Sequence, residues 1–254
     1  MDLVLNAIGI SQGDDVIVTS RTFIASISSI VNAGARPVFA DVDRNTQNIT
    51  LESIKAVLTD KTKAIICVHL AGWPCEMDDI MALAKNHKLK VIEDCAQAHG
   101  AKYKGKSVGS FGDILAWSFC QDKIMSTDGE GGMVTTNNKE LRAEMWSFKD
   151  NGKSYDAIYN REHPPGFRWV HELFGTNWRL TVMQTAIGRI QLIRMNDWKS
   201  KRGKNAAKLV NLCREFDCNR IPKNPDYIEH ANYKFYVFVE ADKFNEGWSR
   251  NKII

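Results

Sequence analysis

Apolar and polar positions along the first two-thirds of the chain switch between two periods. Short runs of β-branched and apolar residues alternate with stretches whose apolar residues recur every three or four positions. The runs at 15–19 (DVIVT), 36–42 (RPVFADV), 64–70 (AIICVHL), 90–93 (KVIE), 114–119 (ILAWSF) and 132–136 (GMVTT) predict strands. Helices are predicted between them. One covers 22–33, with Gly34 suited to its C-terminal cap. Another covers 50–58 and opens with Thr50 three residues ahead of Ser53. A third covers 76–87, with Ile80, Leu83 and Ala84 on one face, and a fourth covers 139–148.

Strands spaced by helices of about ten residues imply βαβ units and a mostly parallel sheet. Sheets of that kind place ligands beyond the carboxyl ends of their strands. Asp94 and Ser118 both stand at such an end. The segment 154–175 reads as irregular, with Pro164, Pro165, Gly166, Gly175 and many aromatics. A loop that long in a compact domain is usually functional or touches a partner. A long helical pattern follows from Leu180 to about Cys213, with Met183, Ile187 and Ile190 on one apolar face. The run 232–240 (NYKFYVFVE) is strand-like, its aromatics alternating.

The 254 residues suffice for one large domain, or one and a half, with a real core. Apolar residues make up 44% and charged residues 25%, an ordinary globular balance. No apolar run reaches membrane-spanning length, and the N-terminus shows no basic leader or cleavage site, so a cytoplasmic protein is expected. The net charge of +4 is scattered except at 199–204 (KSKRGK). That cluster reads as a solvated helix face, and no basic-aromatic platform for nucleic acid accompanies it. Six cysteines occur without a C-x-x-C pair, and the histidines fall at no zinc spacing. Free thiols in a reducing compartment are expected, with no metal.

Two residues stand out chemically. Lys123 follows an apolar strand and precedes Gly129-Glu-Gly-Gly132. A loop lysine is ordinarily solvated, but glycines there permit close backbone approach, and a partly desolvated amine is the nucleophile that Schiff-base chemistry needs. Asp94 reads either as a turn aspartate capping the next segment or as a carboxylate meeting a ligand at the sheet edge.

The run from His69 to Val134 contains EDCAQAHG, GSFGD, SF…K and GEGG in that order. With GDDVIVTSRTFIAS before it and GTNWRLTVMQTAIGRIQL after it, the chain resembles the DegT/DnrJ/StrS family of nucleotide-sugar aminotransferases. The resemblance implies an α/β fold-type I architecture, similar to aspartate aminotransferase. It divides the chain into a cofactor-binding large domain at 1–178 and, at 179–254, a connecting helix with part of a C-terminal α+β domain. The implied cofactor is pyridoxal 5'-phosphate, and the implied substrates are an amino acid, with glutamate the expected donor, and a nucleotide-linked keto sugar.

Residue by residue, Lys123 matches the Schiff-base lysine. Asp94 matches the carboxylate that keeps the cofactor's ring nitrogen protonated, an attraction worth about 4 kcal/mol at contact. Gln97 matches a glutamine beside the ring; its alternative is a loop-stabilising amide. Ser118 matches a serine on the cofactor phosphate. Phe23 matches an aromatic stacked on the ring, its alternative being plain core. Asn177 matches an asparagine that reaches the neighbouring subunit's phosphate site, which implies a homodimer.

The chain also departs from the family. The small-residue phosphate cup is expected ahead of Met1 and a longer C-terminal domain beyond Ile254. Cys120 stands where histidine is frequent, and Asp128 where a small residue is common. Two alternatives follow: a non-catalytic or split relative acting as a binding partner, and a pyridoxamine-phosphate-dependent sugar dehydratase. The dehydratases carry histidine at the lysine position, so Lys123 speaks for transamination.

Overall fold

The computed structural model describes residues 1–166 and 171–253. Its strands are β1 (Asp15–Thr19), β2 (Arg36–Ala40), β3 (Thr62–Val68), β4 (Lys90–Asp94), β5 (Lys102–Tyr103), β6 (Lys106–Ser107), β7 (Ile114–Ser118), β8 (Gly132–Thr135), β9 (Asn219–Arg220), β10 (Ile228–Glu229) and β11 (Phe238–Val239). Its helices are α1 (Asp2–Ala7), α2 (Ala25–Asn32), α3 (Leu51–Val57), α4 (Met77–His87), α5 (Lys139–Lys149), α6 (Tyr155–Tyr159), α7 (Val182–Cys213) and α8 (Arg250–Ile253).

The main sheet runs β2-β1-β3-β4-β7-β8. Its first five strands pair in parallel, and only β8 runs antiparallel, against β7. Strands buried on both sides carry apolar residues on both faces, as Val16, Ile17 and Val18 of the all-buried β1 show. Alternate residues feed different layers. Val16, Val18, Ala64, Ile66, Ile92 and Ile114 pack with Leu5 of α1, Ile30 of α2 and Met145 of α5. Ile17, Ile65, Cys67 and Val91 pack on the other face with Ile54 of α3 and Ile80 and Leu83 of α4. The fold is thus the expected mostly parallel α/β arrangement with helices on both faces.

The local signals act as their chemistry dictates. Thr50 and Ser53 form a reciprocal capping box at the start of α3. Gly34 takes φ 79° just after α2. Three expectations need correction. The irregular stretch at 154–175 contains α6, capped by the Ser154 side chain; Phe167 and Trp169 lie outside the described residues. The strand expected over 232–240 shrinks to Phe238–Val239, paired with β9. The backbone N–H groups of Ala231 and Tyr233 bond instead to the carbonyls of Gly72 and Ala71, at 2.9 and 3.0 Å. Finally, the basic cluster at 199–204 is not wholly solvated. Lys199 pairs with Glu229, and Arg202 donates to the Asn232 carbonyl at 3.3 Å, so α7 grips the C-terminal segment.

One buried carboxylate ties the middle of the sheet together. Glu93 is fully buried. It accepts from His69 Nε2 at 3.0 Å, from Gly109 N at 2.7 Å, from Phe111 N at 2.8 Å and from Gly112 N at 2.7 Å. His69 Nδ1 in turn accepts the Cys75 N–H at 3.0 Å, which puts the imidazole proton on Nε2 facing the carboxylate. Cys95 lies close to this pair, but with those atoms already bonded the cluster is a structural knot and not a cation cage. Burial raises the Glu93 pKa, yet these hydrogen bonds outweigh burial and hold it below the usual glutamate value. The carboxylate is therefore charged at neutral pH and fully bonded. Glu93→Gln turns an acceptor oxygen into an NH2 group facing backbone donors. It should cost about 3 kcal/mol of stability in urea unfolding; an unchanged midpoint would contradict this role.

Candidate functional site

The carboxyl edge of the parallel strands collects the expected residues. Asp94 ends β4 and Ser118 ends β7. Asp94 pairs in register with Ala116, so by the two-residue period Asp94 and Ser118 lie on the same face of the sheet. That face is the one covered by α1, α2 and α5. Asp94 Oδ2 accepts the Ser26 hydroxyl of α2 at 2.8 Å, and Oδ1 accepts the Ala96 N–H at 3.1 Å. Phe23 stands three residues before Ser26, its carbonyl accepting the Ser26 N–H. Its ring is 69% exposed, so the plain-core reading of Phe23 does not hold. Ser26 was not singled out in the sequence; SRTFIAS gave no sign that this hydroxyl reaches across to β4.

Ser118 is half-buried, and its Oγ accepts the Cys120 N–H at 3.4 Å. From there the chain enters the loop 119–131 between β7 and β8, which folds back on the same edge because Ser118 pairs with Gly132. Ile124 and Met125 are buried, packing with Cys95, Phe119 and Met195 of α7. The Ser126 N–H bonds Gln191 of α7 at 2.7 Å. This anchoring holds Lys123 with its side chain only 17% exposed. Its Nζ donates to Asp122 at 2.9 and 3.1 Å and to the Tyr233 hydroxyl at 3.4 Å. Burial pulls the Lys123 pKa down, but the bonds to Asp122 and Tyr233 outweigh it and leave it above the ordinary lysine value.

The glycine motifs have steric causes. A Cβ on Gly109 would lie 2.4 Å from the Trp117 ring, and one on Gly112 would lie 2.7 Å from the Val91 carbonyl. A Cβ on Gly131 would meet Thr127 at 2.3 Å. Asp128 sits at φ 64°, a left-handed conformation that explains why a small residue suits this place and why aspartate is tolerated.

Gln97 faces the turn after β3. Its Oε1 accepts the Ala71 N–H at 2.7 Å, the loop-stabilising contact, and its NH2 end has no hydrogen-bond partner among the described residues. Asn177 is placed apart from the other candidates. It bridges to Asp150, and its Oδ1 accepts from Arg179 at 3.0 Å. No hydrogen bond among the described residues links Asn177 to Asp94, Ser118 or Lys123. A few residues further on, Gln184 Nε2 donates to the Glu130 carbonyl at 2.7 Å, which docks the start of α7 on the GEGG turn.

Two clefts flank this edge without containing Asp94, Ser118 or Lys123. One, of about 770 Å³, lies between Ala116, Phe119, Met145 and Trp178. The other, of about 340 Å³, lies between Ala71, Trp73, Arg214 and Tyr236. The candidate site itself lies at the strand ends. It offers an amine, a carboxylate, a hydroxyl and an unpacked aromatic ring. That donor set suits an aromatic, phosphorylated carbonyl cofactor with a basic ring nitrogen.

His99, in the turn after β4, packs on Trp117 and Phe119 at ring distances of 5.3 and 5.9 Å. Burial, and then the nearby Lys123 ammonium, push its pKa down to about 4; burial alone does the same to His230. Unfolded histidines titrate near 6.5. Their folded values are depressed, so this part of the stability is fully present above about pH 6.5 and is lost as pH falls towards 4. His99→Phe removes one of the two protons taken up on unfolding. The urea midpoint should then drop less steeply between pH 7 and pH 5 than in the wild type; equal slopes would contradict the burial of a neutral imidazole.

Comparison with known proteins gives consistent matches. The DegT/DnrJ/EryC1/StrS aminotransferase family matches residues 1–253. A GDP-perosamine synthase of Escherichia coli O157:H7 is 44% identical over 222 residues, covering 85% of this chain and 58% of that protein. A dTDP-3-amino-3,6-dideoxy-alpha-D-galactopyranose transaminase of Aneurinibacillus thermoaerophilus is 42% identical over 250 residues, covering 98% and 64%. Among solved structures, an aminotransferase from Psychrobacter cryohalolentis superposes with a TM-score of 0.97 at 60% identity, over 100% of this chain and 66% of that one. The chain thus spans about three fifths of the length of the curated relatives it matches.

Proposed function

The chain belongs to the DegT/DnrJ/EryC1/StrS aminotransferase family, and from that premise we propose that it serves pyridoxal-phosphate-dependent transfer of an amino group from an amino acid, with glutamate the expected donor, to a nucleotide-linked keto sugar. The observation that carries this reading is the placement of Asp94 and Ser118 on one face of the strand ends, followed by the half-buried Lys123. When bound, the cofactor supplies an electron sink. This chain's residues do the rest. Lys123 provides the amine that holds the cofactor and, once free, carries a proton at Nζ to and from the reacting carbon. Asp94, braced by Ser26, favours a protonated ring nitrogen. The Ser118 hydroxyl would donate to phosphate, and the Phe23 ring would stack on the cofactor. The NH2 group of Gln97, its oxygen taken by Ala71, is left to donate to the ring substituent.

The names of the relatives support a sugar nucleotide as acceptor, though they differ in nucleotide and sugar, and polysaccharide or cell-surface sugar synthesis as the setting. Lys123 speaks against the dehydratase reading. No helix among the described residues is long and apolar enough to cross a membrane, and three buried cysteines fit a reducing cytoplasm.

We also propose that the site is shared in a homodimer. Met183, Ile190 and Ile193 of α7 are exposed, and so are Phe23, Ile24 and Phe174; Ile187 is half-buried. Such apolar surface is the mark of an interface. Across it, Asn177 would reach the neighbour's phosphate. The test uses the spectral change that glutamate produces in the bound cofactor. Lys123→Ala should abolish it, and Asn177→Ala should weaken cofactor retention enough to suppress it at limiting pyridoxal phosphate. Mixed and allowed to exchange, the two variants should recover about a quarter of the wild-type signal, because half the dimers carry one intact site. Heterodimers without recovery, or a monomer with full activity, would overturn the shared site. Full turnover by Lys123→Ala would overturn the functional reading.

A further inference from the structure

Lys123 has two polar neighbours that its role as the reacting amine does not account for. Its Nζ lies 2.9 and 3.1 Å from the two oxygens of Asp122 and 3.4 Å from the Tyr233 hydroxyl. That hydroxyl donates to Asp122 Oδ2 at 2.6 Å, closing a three-membered set. The ammonium also lies 5.4 Å from the centre of the Tyr233 ring, within reach of a cation–π attraction.

Tyr233 comes from a position 110 residues further along the chain, and its placement is built. Its N–H bonds the Ala71 carbonyl at 3.0 Å, in the turn that Gln97 also holds. Ala231 N bonds the Gly72 carbonyl at 2.9 Å, and a Cβ on Gly72 would lie 2.7 Å from Ala231 Cβ, so glycine is needed for this approach. Arg202 of α7 holds the carbonyl of Asn232 between them. The Tyr233 ring packs against the cluster that contains Ile124 and Met125, the residues directly after Lys123.

We propose that Asp122 and Tyr233 are positioning residues that dock the Lys123 amine as an ammonium whenever it is free, keeping it beside the strand-end site. The inference rests on the reading of Lys123 as the reacting amine. A free lysine side chain would otherwise sample many rotamers. A carboxylate fixed by a tyrosine hydroxyl gives it one resting place. The charged and titratable groups facing Nζ are Asp122 from its own loop, Tyr233 from the C-terminal segment and His99 from the turn after β4, the last neutral at pH 7. Asp122 is held well below the usual carboxylate range by its bonds to Tyr233 and then Lys123, so it stays ionised across the working range. The pair thereby opposes loss of the Lys123 proton, and the amine becomes nucleophilic when it leaves Asp122.

The test reads the amine itself, without turnover. Trace acetylation of the cofactor-free chain with acetic anhydride is followed against pH, and the peptide bearing Lys123 is quantified by mass spectrometry. Asp122 is largely exposed, so Asp122→Asn leaves the core intact. It should lower the midpoint of Lys123 labelling by about one pH unit. Asp122→Glu should recover part of the shift, and Tyr233→Phe, which keeps the ring and removes the hydroxyl, should move the midpoint the same way by less. An unchanged midpoint in Asp122→Asn overturns the proposal, and an unchanged midpoint in Tyr233→Phe removes the tyrosine from it. A parallel sample is treated with pyridoxal phosphate and borohydride. A phosphopyridoxyl group fixed on another lysine would overturn the functional reading, while the midpoints still decide the docking pair.

Discussion

The buried carboxylate of Glu93 is the constraint on which the site depends. It is fully buried and accepts four hydrogen bonds from the end of β3 and from the loop that leads into β7. A charge in that position is costly unless every lone pair is used, so the geometry of its donors is tightly specified. Gly109 and Gly112 have no room for a side chain, and the loop between β6 and β7 has one path. Since successive residues of a strand point to opposite faces, fixing Glu93 on one face fixes Asp94 on the other.

From that knot the arrangement spreads through backbone more than through side chains. His69 starts the turn after β3, and Gly72 within that turn lets the 231–233 segment approach. The same segment, held by Arg202 of α7 at Asn232 and flanked by the Lys199–Glu229 pair, delivers Tyr233 to the loop that carries Lys123. α7 also receives the N–H of Ser126 on Gln191. The amine is therefore placed by three parts of the chain that are remote in sequence: the sheet edge, the long helix and the C-terminal segment. A single loop with two glycines and two aspartates could not hold it alone.

Much of this was legible beforehand because the signals are local. Short β-branched and apolar runs such as DVIVT and AIICV read as buried strands, and the Thr50 and Ser53 spacing marks a helix start. The order of EDCAQAHG, GSFGD and GEGG placed Asp94, Ser118 and Lys123 on neighbouring connections. What escaped the sequence is tertiary. The alternating aromatics of 232–240 imitate a strand, but the backbone donors of Ala231 and Tyr233 are drawn to the carbonyls of Gly72 and Ala71. The five residues of α6 are too few to show a period. Asp122 looks like one more loop acid until Tyr233 is seen beside it, and Ser26 looks like one more helix serine until Asp94 is seen. The glycine preference at position 128 becomes intelligible only from a φ of 64°.

On the proposed reading the strand-end carboxylate, fixed by the Glu93 knot and braced by Ser26, would meet a cofactor's ring nitrogen. The most direct measurement is the 15N NMR shift of pyridoxal phosphate labelled at that nitrogen and bound to the chain. A protonated ring signal should persist well above the pH at which the free cofactor loses it, and Asp94→Ala should lose this protection. An unprotonated ring nitrogen in the wild-type complex at neutral pH would contradict it.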